Sequence, residues 1–243
     1  MIDAVLSYHL NPLTCGVAKF NIQLAERLGV PCLPLGSETS RPLVSIKFAE
    51  IKDGTTIVDL NPGYDLLLHD RHHGANLLAN FARRLFYADE LGVPATICGN
   101  PTRGRYNVLT FGMAHKLVLP HFEHLKVQLD AEHPDYTLSL STAVHEGSPW
   151  DEALRDSTEA MHGIFGDKLR VLGFLADDAL AKELQDCDAV ACFFTPALRA
   201  NNTSYWAAVA SGKTIYTNRD EHSPQDGDPA PRWDQLIEVL RGA

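Results

Sequence analysis

Residues 193–218 read FFTPALRANNTSYWAAVASGKTIYTN. An apolar strand, the polar turn Asn201-Asn202-Thr203-Ser204, a helix of small residues and a second strand follow one another without a break. Ala207, Ala208, Ala210 and Ser211 keep that helix slim enough to lie against a sheet, and Gly212 ends it. Its start falls near Thr203 or Ser204, with Asn202, Thr203 or Ser204 available as the cap. The first N–H groups of a helix have no intrahelical acceptor and carry the positive end of its dipole. The turn is therefore either a phosphate site or an ordinary capped αβ junction.

Working outward, short apolar strand patterns alternate with longer helical ones, as parallel βαβ construction requires. The first half reads as strand 3–8, helix 16–28, strand 31–35, a short helix near 45–51, strands 55–59 and 65–69, helix 74–91 and strand 94–98. The segment GNPTRGR at 99–105 is rich in turn formers and basic residues and reads as a linker. A second series follows, with strands 106–111, 136–141, 169–173, 188–194 and 213–217 alternating with helices 116–131, 150–164, 177–185 and 203–211. The expected fold is α/β, with two Rossmann-like parallel-sheet domains, 1–103 and 104–243, facing across a cleft. The amphipathic helix that closes the sequence is counted with the second domain. Ligands of open parallel sheets bind beyond the carboxyl ends of the strands, so chemistry is expected in the loops there.

The 243 residues suffice for two cores, and 45% hydrophobic with 21% charged residues is the profile of a globular chain. A formal charge of −10 disfavours broad attraction to nucleic acid or an anionic membrane. No run of 18 apolar residues appears, and MIDAVLSYHL lacks the basic start and long apolar core of a signal peptide, so no transmembrane segment and a cytoplasmic location are expected. Cys15, Cys32, Cys98, Cys187 and Cys192 are scattered and form no Cys-x-x-Cys pair, which indicates neither a disulfide framework nor a zinc site. A P-loop, a dinucleotide fingerprint and a serine-centred elbow are all missing from the sequence.

With these segments in order, the chain resembles a family-4 type glycosyltransferase of the two-domain GT-B architecture, in an unusually short version. NPLTCGVAKFNIQLAERLG at 11–29 resembles the family's glycine loop and first helix, and YDLLLH and GVPATIC resemble later strands of its first domain. VLTFGMAHK, HPDYTLSLS, LRVLGFLADDALAKELQDCDAVACFF and RANNTSYWAAVASGKTIYTN resemble successive units of its second domain. The family's pair of glutamates, separated by seven intervening residues around the last turn, is missing: Arg199 stands at the first position and Ala207 at the second. The arginine and asparagines here are closer to a subset of the superfamily.

The resemblance implies a donor site at Gly16, Lys116, Phe174, Leu175, Arg199, Asn201, Asn202, Thr203 and Ser204. Gly16 opens a helix after the first strand, where a backbone can approach a diphosphate with no side chain in the way. Lys116 or Arg199 supplies the cation for the leaving diphosphate. Phe174 and Leu175 stand where the donor base rests, and Asn201 or Asn202 where its sugar hydroxyls lie. The loop HDRHHG at 69–74 follows an apolar strand, and its His69, Asp70 or His72 can orient an acceptor hydroxyl and take or relay its proton. Its spacing is not a defined metal-ligand pattern, so no metal is expected. His9, and His145 with Glu146, are further candidates at strand ends.

The reading is a retaining, metal-independent transferase that moves a sugar from a nucleoside diphosphate donor, bound as substrate with no cofactor, to an unidentified acceptor. The alternatives are a non-catalytic nucleotide or nucleotide-sugar binder of the same fold, and a transferase acting on nucleic-acid bases. Oligomeric state is not legible in the sequence.

Overall fold

The computed structural model describes residues 1–48, 63–71, 78–97, 106–113, 117–143 and 150–242, without the side chains of 143 and 150–153. It divides into two compact units, Met1–Thr96 with Pro231–Ala243, and Ile97–Ala230.

In the first unit five strands, β1 (Ala4–Ser7), β2 (Cys32–Pro34), β3 (Pro42–Ile46), β4 (Asp65–Leu68) and β5 (Arg84–Tyr87), form one sheet in the order β2-β1-β3-β4-β5. All neighbouring pairs are parallel. Alternate side chains go to opposite faces of a strand. Val5, Leu43 and Leu67 accordingly share one buried cluster with Phe20 and Leu24, while Ala4, Leu6, Val44, Ile46, Leu66 and Leu68 form another with Tyr64 and Leu78. Helix α1 (Gly16–Leu28) follows β1 and supplies Phe20 and Leu24. It ends where Gly29 takes a left-handed φ of 74°, and the next N–H, that of Val30, bonds back to Ala25 O at 3.0 Å.

Three expectations for this half are corrected. Residues 42–46 form β3, where a helix was expected from 45, because Leu43, Val44 and Ile46 are buried between β1 and β4. The helix expected over 74–91, whose residues 74–77 lie outside the described residues, is interrupted by β5, and its end forms the single turn α2 (Ala88–Leu91). Arg84 to Tyr87 pair with Asp65 to Leu68, and that pairing overrides a helical apolar spacing. β5 takes the sheet edge, and 94–97 form no strand. The expected strand 55–59 and the linker 99–105 lie outside the described residues.

The second unit repeats the plan with β6 (Asn107–Met113), β7 (Thr137–Ala143), β8 (Leu169–Gly173), β9 (Ala189–Ala191) and β10 (Thr214–Tyr216) in the order β10-β9-β6-β7-β8, again all parallel. Helices α3 (Leu119–Glu132) and α4 (Trp150–Phe165) cover one face, with Phe122, Leu125, Leu129, Met161 and Phe165 packed on Val108, Leu138 and Leu140. Helices α5 (Asp177–Asp186) and α6 (Thr203–Ala210) complete it. The buried Lys213 ammonium caps α5, donating to Gln185 O at 2.8 Å and Cys187 O at 2.5 Å, where a cation suits the helix dipole.

The last helix, α7 (Trp233–Gly242), belongs to the first unit rather than to the 104–243 domain expected for it. Its Leu236, Ile237 and Leu240 are buried in the core around Phe20 and Leu24, and Trp233 stacks on Phe20 at 5.3 Å. Arg84 donates to Leu240 O, and Arg241 donates to Arg27 O and Leu28 O, each at 3.3 Å. No helix among the described residues is long and apolar enough to cross a membrane.

Strand order fixes where each sheet offers a crevice. The chain reverses direction across the sheet between β1 and β3 in the first unit and between β6 and β9 in the second. Loops beyond the carboxyl ends of those strands flank the openings.

Candidate functional site

At the β1/β3 point of the first unit, three polar side chains interrupt otherwise apolar elements: Ser7 at the end of β1, Ser45 in β3 and Asn21 in α1. All are essentially inaccessible to solvent, so each polar atom needs a partner within the protein. Asn21 Nδ2 donates to the Ser45 carbonyl and to Ser7 Oγ, both at 2.9 Å. Ser7 Oγ donates in turn to the His9 carbonyl at 2.6 Å. Ser45 Oγ donates to Asn21 Oδ1 at 2.6 Å and lies 3.1 Å from His69 Nε2.

The network thus reaches His69, the first residue of the HDRHHG loop, directly after β4. His69 N–H donates to Ile46 O at 2.9 Å, and its ring meets Phe20 edge-on at 5.3 Å. A small cleft beside it is lined by Ser7, His9, Cys15, Val17, Ser45 and Lys47. The loop into α1 is shaped by Asn11, whose Oδ1 accepts from Leu13 N–H at 3.0 Å and whose carbonyl accepts from Thr14 and Cys15. Cys15 caps α1 through Sγ, 3.5 Å from Ala18 N, and Gly16 follows it, exposed.

Of the other residues expected here, Asp70 accepts from Phe48 N–H at 2.8 Å and ties the β3 and β4 ends together. Arg71 turns to Asp89, 2.7 Å from its Nε, and to Glu90, and lies over the Tyr87 ring. The two carboxylates raise its already high pKa. His72 lies outside the described residues. No group of three or more His, Cys, Asp or Glu side chains among the described residues is placed to hold a metal ion.

In the second unit the β9–α6 loop, 192–202, lies at the β6/β9 crevice. It is pinned from the segment after β10. Asn218 exchanges two 2.8 Å bonds with the Phe194 backbone, and Leu198 N–H donates to Asn218 O at 3.0 Å. Arg199 donates to both Asp220 carboxylate oxygens at 2.7 Å, and its Nη1 also reaches Ala197 O and Leu198 O. Ser223 Oγ donates to Leu198 O at 2.9 Å, and Trp206 Nε1 to Ala200 O at 2.8 Å. Arg199 is therefore already committed to a carboxylate and two carbonyls, where a guanidinium open to phosphate was expected. The Arg199 guanidinium holds the Asp220 carboxyl down at about 2.

Asn202 occupies the N-cap of α6 but does not cap it with its side chain. Its Oδ1 accepts instead from Arg199 N–H at 2.6 Å, closing the loop on itself. Tyr205 and Trp206 N–H reach Asn202 O, and no acceptor among the described residues meets the N–H groups of Thr203 and Ser204. Asn201, Asn202, Thr203 and Ser204 are all partly accessible.

Phe174 and Leu175 follow β8 at the opposite edge of the same sheet, with Phe174 51% exposed and Leu175 partly buried. Three strand spacings separate β8 from β9, about 14 Å. Lys116, His145 and Glu146 lie outside the described residues. The described cysteines are free thiols. Burial pushes Cys187 up to about 11 and Cys192 up to about 12, the reverse of what a nucleophile needs.

The structural polar residues were missed in the sequence: Ser7, Asn21 and Ser45 in one unit, Asn218, Asp220 and Ser223 in the other. Their signal is a single polar residue within an apolar strand or on the apolar face of a helix, as in AVLS, PLVSI and KFNIQL.

No protein-family model matches the sequence, and no curated protein matches it. Among solved structures the chain is similar to TarM, with a TM-score of 0.48 at 11% identity over 84% of this chain and 43% of that one. It is also similar to the pneumococcal O-GlcNAc transferase GtfA in complex with UDP and GlcNAc, with a TM-score of 0.45 at 13% identity over 83% of this chain and 44% of that one. The chain spans less than half the length of either protein.

Proposed function

We propose that the chain is a retaining, metal-independent glycosyltransferase that takes a sugar from a nucleoside diphosphate donor to an acceptor hydroxyl, in the cytoplasm. The observation that carries this reading is the start of α6 at the β6/β9 crevice. Because Asn202 Oδ1 bonds to Arg199 N–H and not to the helix, the Thr203 and Ser204 N–H groups stay available to an anion at the positive end of the helix. Donor diphosphate binds there, with Lys116 as its cation and Arg199 holding the loop through Asp220. Asn201 or Asn202 meets the donor sugar, and Phe174 and Leu175 receive the base, a strand-row distance a nucleoside diphosphate can bridge.

Gly16 offers a further N–H to phosphate at the start of α1. His69, Asp70 or His72 is assigned to the acceptor hydroxyl. As the bond from the anomeric carbon to the leaving phosphate breaks, the acceptor oxygen bonds that carbon on the same face, and its proton passes to the departing phosphate. Donor N–H groups already aimed at the phosphate stabilise the growing charge without reorganisation.

The Arg199–Asp220 pair favours a second reading. A cation neutralised by an aspartate of the neighbouring segment suits a protein that binds a nucleotide or nucleotide sugar without turning it over. UDP, GDP, ADP and TDP, free and as sugars, are therefore tested for thermal stabilisation of the purified chain, since a ligand bound only by the native state raises its unfolding temperature. Stabilisation by one nucleotide family, followed by donor turnover, supports the transferase. Stabilisation without turnover, even by slow hydrolysis, supports the binder, and no stabilisation by any of them defeats both.

A further inference from the structure

Three aromatic rings connect the last helix to the loop that follows β4. Trp233, in the first turn of α7, stacks on Phe20 with the two planes 17° apart and the centroids 5.3 Å apart. Phe20 in turn meets the His69 imidazole at 76° and 5.3 Å. The Arg27 guanidinium lies over the Trp233 ring, 4.6 Å from its centroid, which fixes the indole against α1.

Along α7, Trp233, Leu236, Ile237 and Leu240 follow the i, i+3, i+4, i+7 spacing of one face, and all four pack on the same core. Filling that core needs only an apolar side chain at 233. The plane of the indole adds what an aliphatic group lacks: a flat neighbour fixes the tilt of the Phe20 ring, and that tilt sets how the phenyl meets the imidazole. Phe20 is 1% exposed, so close packing leaves it little room to turn away.

We infer that Trp233 is a positioning residue for His69, which it orients through the plane of Phe20. The positioning stands on the stack alone; its service to an acceptor hydroxyl rests on the transferase reading. It gives α7 a part in the proposed acceptor site although no residue of that helix belongs to the HDRHHG loop. That part begins just past 230, where the chain passes from the second unit into the first.

The test is the histidine-ring ¹³C–¹H spectrum of the full chain, with the His69 signals assigned by their loss in His69→Gln. The Phe20 ring current should displace the wild-type His69 ring protons from free-histidine positions. Trp233→Leu keeps an apolar side chain but removes the plane, and should abolish most of that displacement; Trp233→Phe keeps a plane and should keep it. Exposed His222 gives the unshifted reference in the same spectrum. His69 signals unchanged in folded Trp233→Leu, or altered as far in Trp233→Phe as in Trp233→Leu, overturn the proposal. If Trp233→Leu does not fold, wild type and Trp233→Phe decide: displaced signals in both support it, and free-histidine positions in either overturn it. The spectrum needs no substrate. A chain that no nucleotide stabilises, but whose His69 signals depend on Trp233, would fail the transferase reading and leave the positioning standing. Where a nucleotide does bind, donor turnover should fall in Trp233→Leu while stabilisation by that nucleotide keeps its wild-type size. Wild-type turnover in a chain whose His69 signals have moved overturns the use of His69 on the acceptor.

Discussion

Arg199 and Asp220 meet through two parallel hydrogen bonds of 2.7 Å, joining the β9–α6 loop to the segment after β10. Together with Asn218 and Ser223 this pair sets the path of the backbone that leads into Thr203. The shape of the proposed anion site is thus made by residues 20 to 25 positions later in the chain than the residues they hold.

Asp220→Asn and Arg199→Ala should therefore loosen the same loop. Hydrogen exchange is expected to rise over 194–202 in both variants, and nucleotide stabilisation to weaken in both by a similar factor. If Arg199→Ala alone loses binding while Asp220→Asn retains it, the guanidinium serves the ligand and not the loop.

The same pair sets an acid limit. Asp220 is held down at about 2, against about 4 for an unpaired aspartate, first by its bonds to Arg199. A folded-state value below the unfolded one contributes stability that is complete above pH ~4 and is lost as pH falls toward ~2. The difference in unfolding temperature between wild type and Asp220→Asn should be full at neutral pH and shrink across that window. A constant difference down to pH ~2 would remove the ion pair as its source.

Asp65, at the opposite end of β4 from His69, is fully buried and bonded by Arg83 at 2.6 Å and Arg84 at 2.5 Å. Burial alone would raise its carboxyl, and the two arginines outweigh that, so its pKa lies below the ordinary value. Asp65→Ala removes the buried carboxylate that both arginines bond and should cost roughly 3 kcal/mol, the lower end for a broken buried pair because Arg83 stays 33% exposed and Arg84 keeps Leu240 O. Chemical denaturation of the variant reads this directly. A loss well under 1 kcal/mol would mean that water replaces the carboxylate.

Much of this was legible in the sequence where one element decided its own state. In the second half, strands such as NVLTFGM and LRVLG and the helix ALAKELQD carry both pattern and punctuation, and the observed elements follow. β5 was not legible, because RLFYADEL has a helical apolar spacing and becomes a strand only by pairing with β4. The place of α7 was equally hidden: its apolar face suits either unit, and Phe20 and Arg84, far away in sequence, choose the first. The loops that hold the candidate ligand residues were found from turn chemistry. Their supports were not, because Asn21 and Asp220 look like ordinary polar residues until the partners fixed by the fold are known.

The helix that comes last should behave as core of the first unit. Leu240 is fully buried among Phe20, Leu24 and Leu67, and Leu240→Ala should cost about 3 kcal/mol. Hydrogen exchange locates the effect: protection should fall in β1, α1 and β4 while the second sheet keeps its own. Equal loss in both sheets would contradict the assignment of α7 to one unit.

Gly16 separates a structural glycine from a functional one. Its φ lies outside the left-handed region, and a Cβ built there meets no atom within 4 Å, so neither backbone strain nor crowding requires glycine. Alanine at this helix-opening position should raise stability by about 0.5 kcal/mol, chiefly by restricting the unfolded chain. If a ligand phosphate approaches the backbone at the start of α1, the same methyl group stands in its way. Gly16→Ala should then unfold slightly later than wild type when empty and gain less from the stabilising nucleotide. A variant that is stabilised by the nucleotide as strongly as wild type removes Gly16 from the donor site and leaves the α6 turn to bind the diphosphate without it.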